Sequence, residues 1–297
     1  MYILFSIVGG IGKCIAATAV VKVLRKTFPN HKIVVISQFP NLFKNNPNVD
    51  ITHKNEELIS NMVYFKYLKN KDTKVFLQEP YEHHDMITGE SHLIKTWCTM
   101  FGLEYNNEQP EIFLTNEEQK YYEPFYESDK PFFVFQSNGG MLGSDNLGQK
   151  PGFNWVRDIP EFTMKQIIEE FRDYYHMVHI KRPDQIRFDD VVDCYGSPRE
   201  VAYLLTQSKK RLFNDSFGQH LAAALNLPST VCWIGSSPKH FGYEIHDNVM
   251  SNPPEKEYAN SNGIFYQYQL WEDIVDMPYE NQDNIFDVDK IIQSLNK

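Results

Sequence analysis

The feature that most limits the fold is a short apolar run, residues 2–8, that leads directly into a glycine-rich turn at Gly10 and Gly12. A nearly continuous apolar run of this length is typical of a parallel strand that is buried on both faces. Apolar residues then recur at helical spacing over 13–28, and a second apolar strand follows at 32–37. This order of strand, turn, helix and strand predicts a βαβ unit and hence an α/β protein with a parallel sheet.

The same alternation returns after an acidic, tyrosine-rich stretch at 104–131. Further strands are predicted at 74–78, at 131–140 where the strand runs into a glycine turn, and at 176–180, 211–215 and 230–235; further helices are predicted at 90–101, 161–174, 197–208, 217–226 and 287–295. We therefore predict two Rossmann-like domains that face one another across a cleft, an N-terminal domain over 1–128 and a C-terminal domain over 129–297.

The composition is typical of a globular protein from a reducing compartment. Apolar residues make up 42% of the chain and charged residues 23%. The four cysteines are scattered without zinc-type spacing, and no apolar stretch approaches the roughly 18–20 residues of a membrane span. The first residues carry no secretory pattern. We therefore expect a cytoplasmic protein.

The charge is unevenly divided along the chain. The net charge is −10, yet residues 1–103 carry +4 and the remainder carries −14. The negative net charge argues against general polyanion binding. The positive charge of residues 1–103, however, predicts that an anionic partner binds the N-terminal part. A random distribution of solvated charge is the alternative. The segment 66–74 is the most basic part, with interleaved aromatic residues, and is either a phosphate-contacting surface or an exposed lysine face.

The first glycine turn is a candidate cradle for a phosphate or a sugar. Glycines allow a ligand to approach the backbone, and the following helix offers free N–H groups and the positive end of its dipole. A dinucleotide fingerprint is nevertheless incomplete here, because Ile15 stands where a third Gly or Ala belongs and the next strand ends in Ser37 and Gln38 instead of an acidic residue.

A second candidate anion site lies where the strand at 211–215 meets the next helix. Asp215, Ser216 and Gly218 form the turn, so backbone N–H groups and a hydroxyl would meet an anion there. His220 follows one turn into the helix, close to the same candidate anion site. The alternative is ordinary helix capping by Asp215 or Ser216 with a packed histidine.

The stretch DSFGQHLAAALNLPSTVCWIGSSP, which begins at Asp215, resembles the C-terminal signature of the heptosyltransferase-like family of GT-B glycosyltransferases, glycosyltransferase family 9. The N-terminal GGIGKCIAATAVVKVLRKTFPNHKIVVIS and the later NNPNVD are similar to the family layout, and Asn154, Trp155 and Arg157 resemble its Lys-x-Trp segment. Among the members of this family, the sequence most resembles those that are encoded by phages. The resemblance implies a GT-B fold, an acceptor on the N-terminal domain and a nucleotide-diphosphate-sugar donor on the C-terminal domain, with no cofactor.

The glycine loop departs from the family pattern in one respect. Bacterial lipopolysaccharide enzymes of the family carry in this loop an Asp that acts as the base, and here that position is Lys13. A lysine is a poor base at neutral pH, since its ordinary pKa is about 10.4. The acidic cluster after the strand at 74–78 offers Asp85, which we favour, and Glu79 as replacement bases, or it is a solvated acidic loop. A zinc site there would need the distant His92 as a third ligand.

The leaving diphosphate needs positive charge, which GT-B enzymes typically supply without a metal. Arg157 and Lys181 are the predicted donor-binding cations, with Lys150 and Arg182 as further candidates. The acidic pair at Asp287 and Asp289 has the form of a metal-binding motif, but it falls where acidic residues favour a helix start.

The resemblance implies an inverting, metal-independent transfer to an acceptor hydroxyl. Two acceptors are open: a lipopolysaccharide or other surface glycan, and a hydroxymethylated pyrimidine of phage DNA, which would have to be flipped out of the duplex. A third interpretation is a protein that binds the sugar nucleotide but has lost catalysis with the change to Lys13.

Overall fold

The computed structural model of the chain describes residues 1–139, 155–253, 255 and 279–297, with the side chains of residues 57–60 left aside. Its strands form two separate sheets, one of four strands and one of six, and every strand pairing is parallel. The α/β architecture with two parallel sheets is therefore as predicted.

The first sheet is built from the N-terminal part of the chain. Its strands are β1 (Tyr2–Ile7), β2 (Lys32–Ser37), β3 (Ile51–Lys54) and β4 (Lys74–Phe76), and its helices are α1 (Ile11–Thr27), α2 (Glu57–Leu68), α3 (His84–Ile87) and α4 (Leu93–Met100). The strand order is β3-β2-β1-β4. The central strands β1 and β2 are buried over almost their whole length because α1 and α2 cover opposite faces of the sheet.

The second sheet follows helix α5 (Asn116–Tyr122). Its strands are β5 (Phe132–Gln136), β6 (His176–Ile180), β7 (Val192–Cys194), β8 (Ser208–Asn214), β9 (Thr230–Trp233) and β10 (Asp247–Met250), and its helices are α6 (Glu161–Phe171), α7 (Pro198–Gln207), α8 (Phe217–Ala224), α9 (Pro238–Phe241) and α10 (Val288–Leu295). Short 3-10 helices occupy Pro40–Phe43, Pro80–Glu82, Glu123–Phe125 and Gln282–Asn284. In the order β10-β9-β8-β5-β6-β7, β5 and β8 lie side by side at the centre, so their carboxyl ends share one edge.

A continuous apolar core connects the two sheets. It runs from β1 and β2 through α1 to α7, α8 and one face of the second sheet. Helix α1 is buried on most sides because it packs on its own sheet and also against α8. A second cluster lies on the opposite face of the second sheet under α6 and α10. This packing brings the first turns of α1 and α8 together.

Several elements escaped prediction or have different limits. Strands β3, β7 and β10 and helices α2, α3, α5 and α9 were not predicted, and the predicted strand at 74–78 ends at Phe76. The missed strands have only three or four residues, and their burial pattern is mixed. A strand this short at a sheet margin leaves little apolar periodicity in the sequence.

The start of α7 follows the capping rules. Ser197 caps α7 by accepting a hydrogen bond from the backbone of Glu200 at 3.3 Å, and Pro198 occupies the first helical position, as predicted. Asp287 stands at the N-cap position of α10, so the acidic pair does fall at a helix start. The four cysteines are free and buried.

A buried arginine ties the junction between the two sheets. Arg199 on α7 donates to both carboxylate oxygens of Glu118 on α5, at 2.7 and 2.6 Å, and to the carbonyl of Asn41 at 3.1 Å. The guanidinium lowers the pKa of Glu118 to about 2. This contact lies close to the predicted domain boundary at 128/129, which stays a prediction.

Within the described ranges, no helix is both long enough and apolar enough to cross a bilayer.

Candidate functional site

The candidate site lies where two helix starts meet. Helix α1 begins after Gly10 at the carboxyl end of β1, and α8 begins after Ser216 at the carboxyl end of β8. The two helices are in contact at Gly12 and His220: a β-carbon added at Gly12 would lie 2.6 Å from Cδ2 of the imidazole. Gly12 is therefore required by this contact between the two halves, in addition to its place in the loop.

The glycine loop is crowded at Gly9 and open at Gly10. Gly9 adopts a φ of +124°, a backbone conformation that residues other than glycine rarely adopt. A β-carbon at Gly9 would press on the aliphatic part of Lys13 at 2.8 Å, whereas one at Gly10 would meet none of the described residues within 4 Å. The backbone at Gly10 is thus exposed, and the cradle for a phosphate or a sugar stays a prediction.

Lys13 forms an ion pair with Glu79. Its ammonium group contacts both carboxylate oxygens and lies 4.5 Å from the ring centre of Tyr81 and 5.5 Å from that of Trp97. The Lys13 side chain is 5% exposed and that of Glu79 is 30% exposed. Burial lowers the pKa of Lys13, and the Glu79 carboxylate offsets part of that effect. A carboxylate is thereby held beside the glycine loop, with part of its surface open to solvent.

Asp85, the favoured base of the sequence analysis, lies in different surroundings. It is in the first turn of α3, and its carboxylate oxygens lie 3.8 Å from Nδ1 of His83 and 3.6 Å from Nδ1 of His84. His84, Asp85 and Glu90 also bring ligand-type atoms within 4.8 Å of one another. The third member of this group is Glu90 instead of His92, which caps α4 through Nδ1.

The start of α8 is held by side chains from the neighbouring strand. Gln136 at the end of β5 accepts a hydrogen bond from the backbone N–H of Gly218 at 3.1 Å and donates to Oγ of Ser216 at 3.0 Å. Ser216 occupies the N-cap position without a capping hydrogen bond from its side chain. The Asp215 carboxylate accepts from the hydroxyl of Ser236 at 2.5 Å. The serine-capping alternative is therefore not what the structure contains.

His220 is buried and neutral. The amide of Gln219 donates to its Nε2 at 3.1 Å, and its Nδ1 pairs with the hydroxyl of Tyr243 at 2.8 Å. Burial, reinforced by the nearby His92 and His246, lowers the pKa of His220 to about 3. A neutral imidazole can orient a ligand by hydrogen bonding, but it adds no positive charge to a diphosphate site.

Arg157 brings positive charge to this turn. Its guanidinium donates to the backbone carbonyl of Asp215, from Nε at 3.1 Å and from a terminal nitrogen as well, and lies 3.8 Å from the Asp215 carboxylate. The side chain is 22% exposed. A partly exposed arginine at a helix start is a suitable group for an anion. Lys150 and Asn154, which the sequence analysis placed near this residue, lie outside the described residues.

Lys181 stands at the carboxyl end of β6 and is completely buried. Its ammonium group is 3.8 Å from the Asp193 carboxylate, and within the described part of the chain it makes no hydrogen bond. Burial lowers the pKa of Lys181, with partial compensation by Asp193. Asp193 also pairs with Arg187 at 2.9 Å. Lys181 is thus a buried cation at the edge of the second sheet where the strands have their carboxyl ends, and its side chain has no exposed surface.

Sequence reasoning missed the carboxylate that organises the strand ends. Asp158 is buried and accepts hydrogen bonds from the backbone N–H of Gly139 at 2.8 Å and the side chain of Asn138 at 2.9 Å, with the Asn214 amide at 3.4 Å. It therefore ties the end of β5 to the end of β8. The amides of Gln136, Asn138 and Asn214 at strand ends were the available signal, since amides in such positions need buried partners.

A pocket of about 390 Å³ has Tyr243 among its lining residues. Residues 92–109 supply one wall and residues 238–248 the other, and Lys95 and Lys239 are among the lining side chains. Phe241, two residues before Tyr243, contacts Tyr81 edge to face, with 6.1 Å between ring centres. Tyr243 thus connects the pocket to His220.

The fold is shared with solved glycosyltransferase structures. A glycosyltransferase family 9 protein from Veillonella parvula matches with a TM-score of 0.70 at 12% identity, over 99% of this chain and 96% of that one. The ADP-heptose lipopolysaccharide heptosyltransferase II of E. coli matches with a TM-score of 0.67 at 12% identity, over 100% and 99%. The iron-containing dodecameric glycosyltransferase TibC of enterotoxigenic E. coli gives 0.66 at 10%, over 99% and 76%.

No protein-family model matches the sequence, and the comparison with curated proteins gives no match. At 10–12% identity the structural similarity shows the fold. The predicted fold class, an α/β protein of GT-B type with two Rossmann-like halves, is confirmed.

Proposed function

We propose that the protein is a glycosyltransferase that moves a sugar from a nucleotide-diphosphate donor to the hydroxyl of an acceptor. The observation that carries the proposal is the meeting of two helix starts, one beside a partly exposed carboxylate, Glu79, and the other beside a partly exposed guanidinium, Arg157. End-to-end similarity to a family 9 glycosyltransferase and to a heptosyltransferase supports it. One of these neighbours, E. coli WaaC, was solved with ADP and TibC was solved with an ADP-heptose.

The donor diphosphate would bind at the start of α8. The backbone N–H of Gly218 now donates to Gln136, and a phosphate oxygen would take over that hydrogen bond. Arg157 would neutralise charge on the leaving diphosphate, which needs no metal ion. His220 would act as an uncharged orienting group. Lys181, which lacks an exposed surface, would contribute through the field at the strand ends.

Glu79 is our candidate for the base. Transfer requires a carboxylate within hydrogen-bond reach of the acceptor hydroxyl. Glu79 lies at the glycine loop through its pair with Lys13, whereas Asp85 lies beside two imidazoles on α3. The acceptor oxygen would attack the anomeric carbon as Glu79 takes its proton, and the bond from that carbon to the diphosphate oxygen would break. A single displacement of this kind inverts the configuration.

For the acceptor we propose a lipopolysaccharide or another surface glycan. One structural neighbour is named as a lipopolysaccharide heptosyltransferase, and both it and this chain have the same fold over their full lengths. Since nucleotide sugars are cytoplasmic metabolites and the four cysteines are free, we place the reaction in the cytoplasm. The phage-type origin and the hydroxymethylated DNA acceptor stay predictions, and the experiment below includes them.

The test incubates the protein with a pool of ADP-, UDP- and GDP-sugars and one of three acceptors: lipopolysaccharide extract, hydroxymethylcytosine DNA or unmodified DNA. Products are read by mass spectrometry. We expect sugar on the lipopolysaccharide, and loss of that product in Glu79→Gln but not in the exposed control Glu82→Gln. Sugar on the modified DNA alone would replace the proposed acceptor. Donor binding without any product would favour the sugar-nucleotide-binding protein that has lost catalysis.

A further inference from the structure

Helix α2 covers one face of the first sheet with only one of its sides. Val63 and Tyr67 are buried in a small cluster with Leu4, Val34 and Ile36 of the central strands. This inner side gives the helix its place in the fold. The opposite side is free for other contacts, since it faces away from the sheet.

That outer side carries large apolar residues where a surface helix ordinarily carries polar ones. Met62 is 74% exposed, Phe65 is 66% exposed and Leu68 is 51% exposed. They follow each other at three-residue intervals, so they form a row along the helix. Single exposed apolar side chains are common on proteins, but a row of three large ones marks an interaction surface.

Lysines accompany this apolar row. Between residues 61 and 74 the chain has four lysines, at 66, 69, 71 and 74, and one acidic residue, Asp72. The ammonium group of Lys69 lies 4.4 Å from the ring centre of Phe65. The surface therefore combines apolar side chains that can leave water with cations that remain at its edge.

We propose that the outer face of α2 docks on an anionic lipid bilayer. Met62, Phe65 and Leu68 enter the boundary between headgroups and acyl chains, and the lysines pair with the phosphates of the headgroups. This partner explains both halves of the surface. A nucleic acid would use the lysines alone, because its phosphate backbone gives three large apolar side chains nothing to pack against. The inference concerns a surface remote from the chemistry and holds independently of the proposed function.

The experiment is sedimentation of the full chain with vesicles of neutral phosphatidylcholine and with vesicles that contain about one third phosphatidylglycerol. We expect binding to the anionic vesicles that weakens in high salt. The variant Met62→Ser/Phe65→Ser/Leu68→Ser should bind at least tenfold more weakly, and Lys66→Gln/Lys69→Gln should lose the preference for anionic lipid. The matched control, Phe162→Ser/Tyr174→Ser, removes exposed rings from the second half of the chain and should bind like the unmodified protein.

A second variant reports insertion directly. Phe65→Trp should shift its fluorescence emission to the blue on addition of anionic vesicles, with an unchanged melting temperature. Absence of binding to anionic vesicles, or equal binding by the triple serine variant, would overturn the proposal. Tight binding of duplex DNA that depends on the lysines but not on the apolar row would also overturn it and assign the surface to nucleic acid.

Discussion

The two helix starts at the candidate site have the same origin but opposite electrostatic character. Each helix begins at the carboxyl end of a buried parallel strand and has a glycine in its first turn, Gly12 in α1 and Gly218 in α8. At α1 the lysine of the turn is buried, and the partly exposed charge is the carboxylate of Glu79. At α8 the histidine is buried and neutral, and the partly exposed charge is the guanidinium of Arg157. The side chains thus give the two starts opposite charge, and we propose that the first accepts a proton while the second binds an anion.

The largest expected effect comes from removing the carboxylate at the first start. Glu79→Gln keeps the shape of the side chain but removes its proton-accepting capacity, so turnover should fall by about 100-fold or more. The dissociation constant for ADP should stay the same. Steady-state kinetics with the acceptor that gives a product in the mass-spectrometry experiment checks the turnover. A fully active Glu79→Gln would move the base to Asp85 or another residue and would break the proposed division between the two starts.

The second effect concerns the cation at the other start. Arg157→Met removes the guanidinium while retaining an apolar side chain of similar length, and ADP should bind about 10-fold to 100-fold more weakly. Arg182, whose side chain is 21% exposed and pairs with Asp184, is a control at the same sheet edge, and Arg182→Met should change the affinity less. Equal losses in the two variants would mean that charge near the strand ends is diffuse instead of being concentrated at Arg157.

The contact between the two starts can be tested with a pair of glycine variants. Gly12→Ala forces a methyl group to within 2.6 Å of the His220 ring, which should destabilise the protein by about 1–3 kcal/mol. Gly10→Ala should be nearly neutral because its β-carbon has open space around it. Urea denaturation gives both free energies of unfolding. If the two variants unfold alike, the helices do not meet as described.

The smallest expected effect is the contribution of each buried histidine to the pH dependence of stability. Burial lowers the pKa of His220 and His179 to about 3 and of His92 and His246 to about 4. Below the ordinary histidine pKa of about 6.5, the unfolded chain takes up protons that these folded residues refuse, so the free energy of unfolding falls as the pH falls. Between pH 7.5 and 5.5 each group should cost on the order of 1 kcal/mol.

The variant His246→Gln provides the control for this pH series. It retains a donor for the Gln219 carbonyl, which Nε2 of His246 now contacts at 2.9 Å, but it cannot titrate. Its stability should change less with pH than that of the unmodified chain. Parallel pH profiles for the two proteins would show that His246 is not held neutral by the fold.

The sequence predicts the buried strands and the helices that cover them, because apolar periodicity and glycine turns are local signals. It does not predict β3 or β10, since edge strands of four residues are stabilised by pairing with a neighbour that lies elsewhere in the chain. The same limit applies to the site. Lys13 and Glu79 were each singled out, but their pairing depends on how β1 and β4 align. Asp158 and Tyr243 are significant only through partners distant in sequence.

The most direct test of the division between the two helix starts is the calorimetric affinity for ADP of three proteins: the unmodified chain, Glu79→Gln and Arg157→Met. The account predicts that the unmodified chain and Glu79→Gln bind ADP equally well and that Arg157→Met binds at least tenfold more weakly. Loss of ADP binding in Glu79→Gln together with normal binding in Arg157→Met would contradict it.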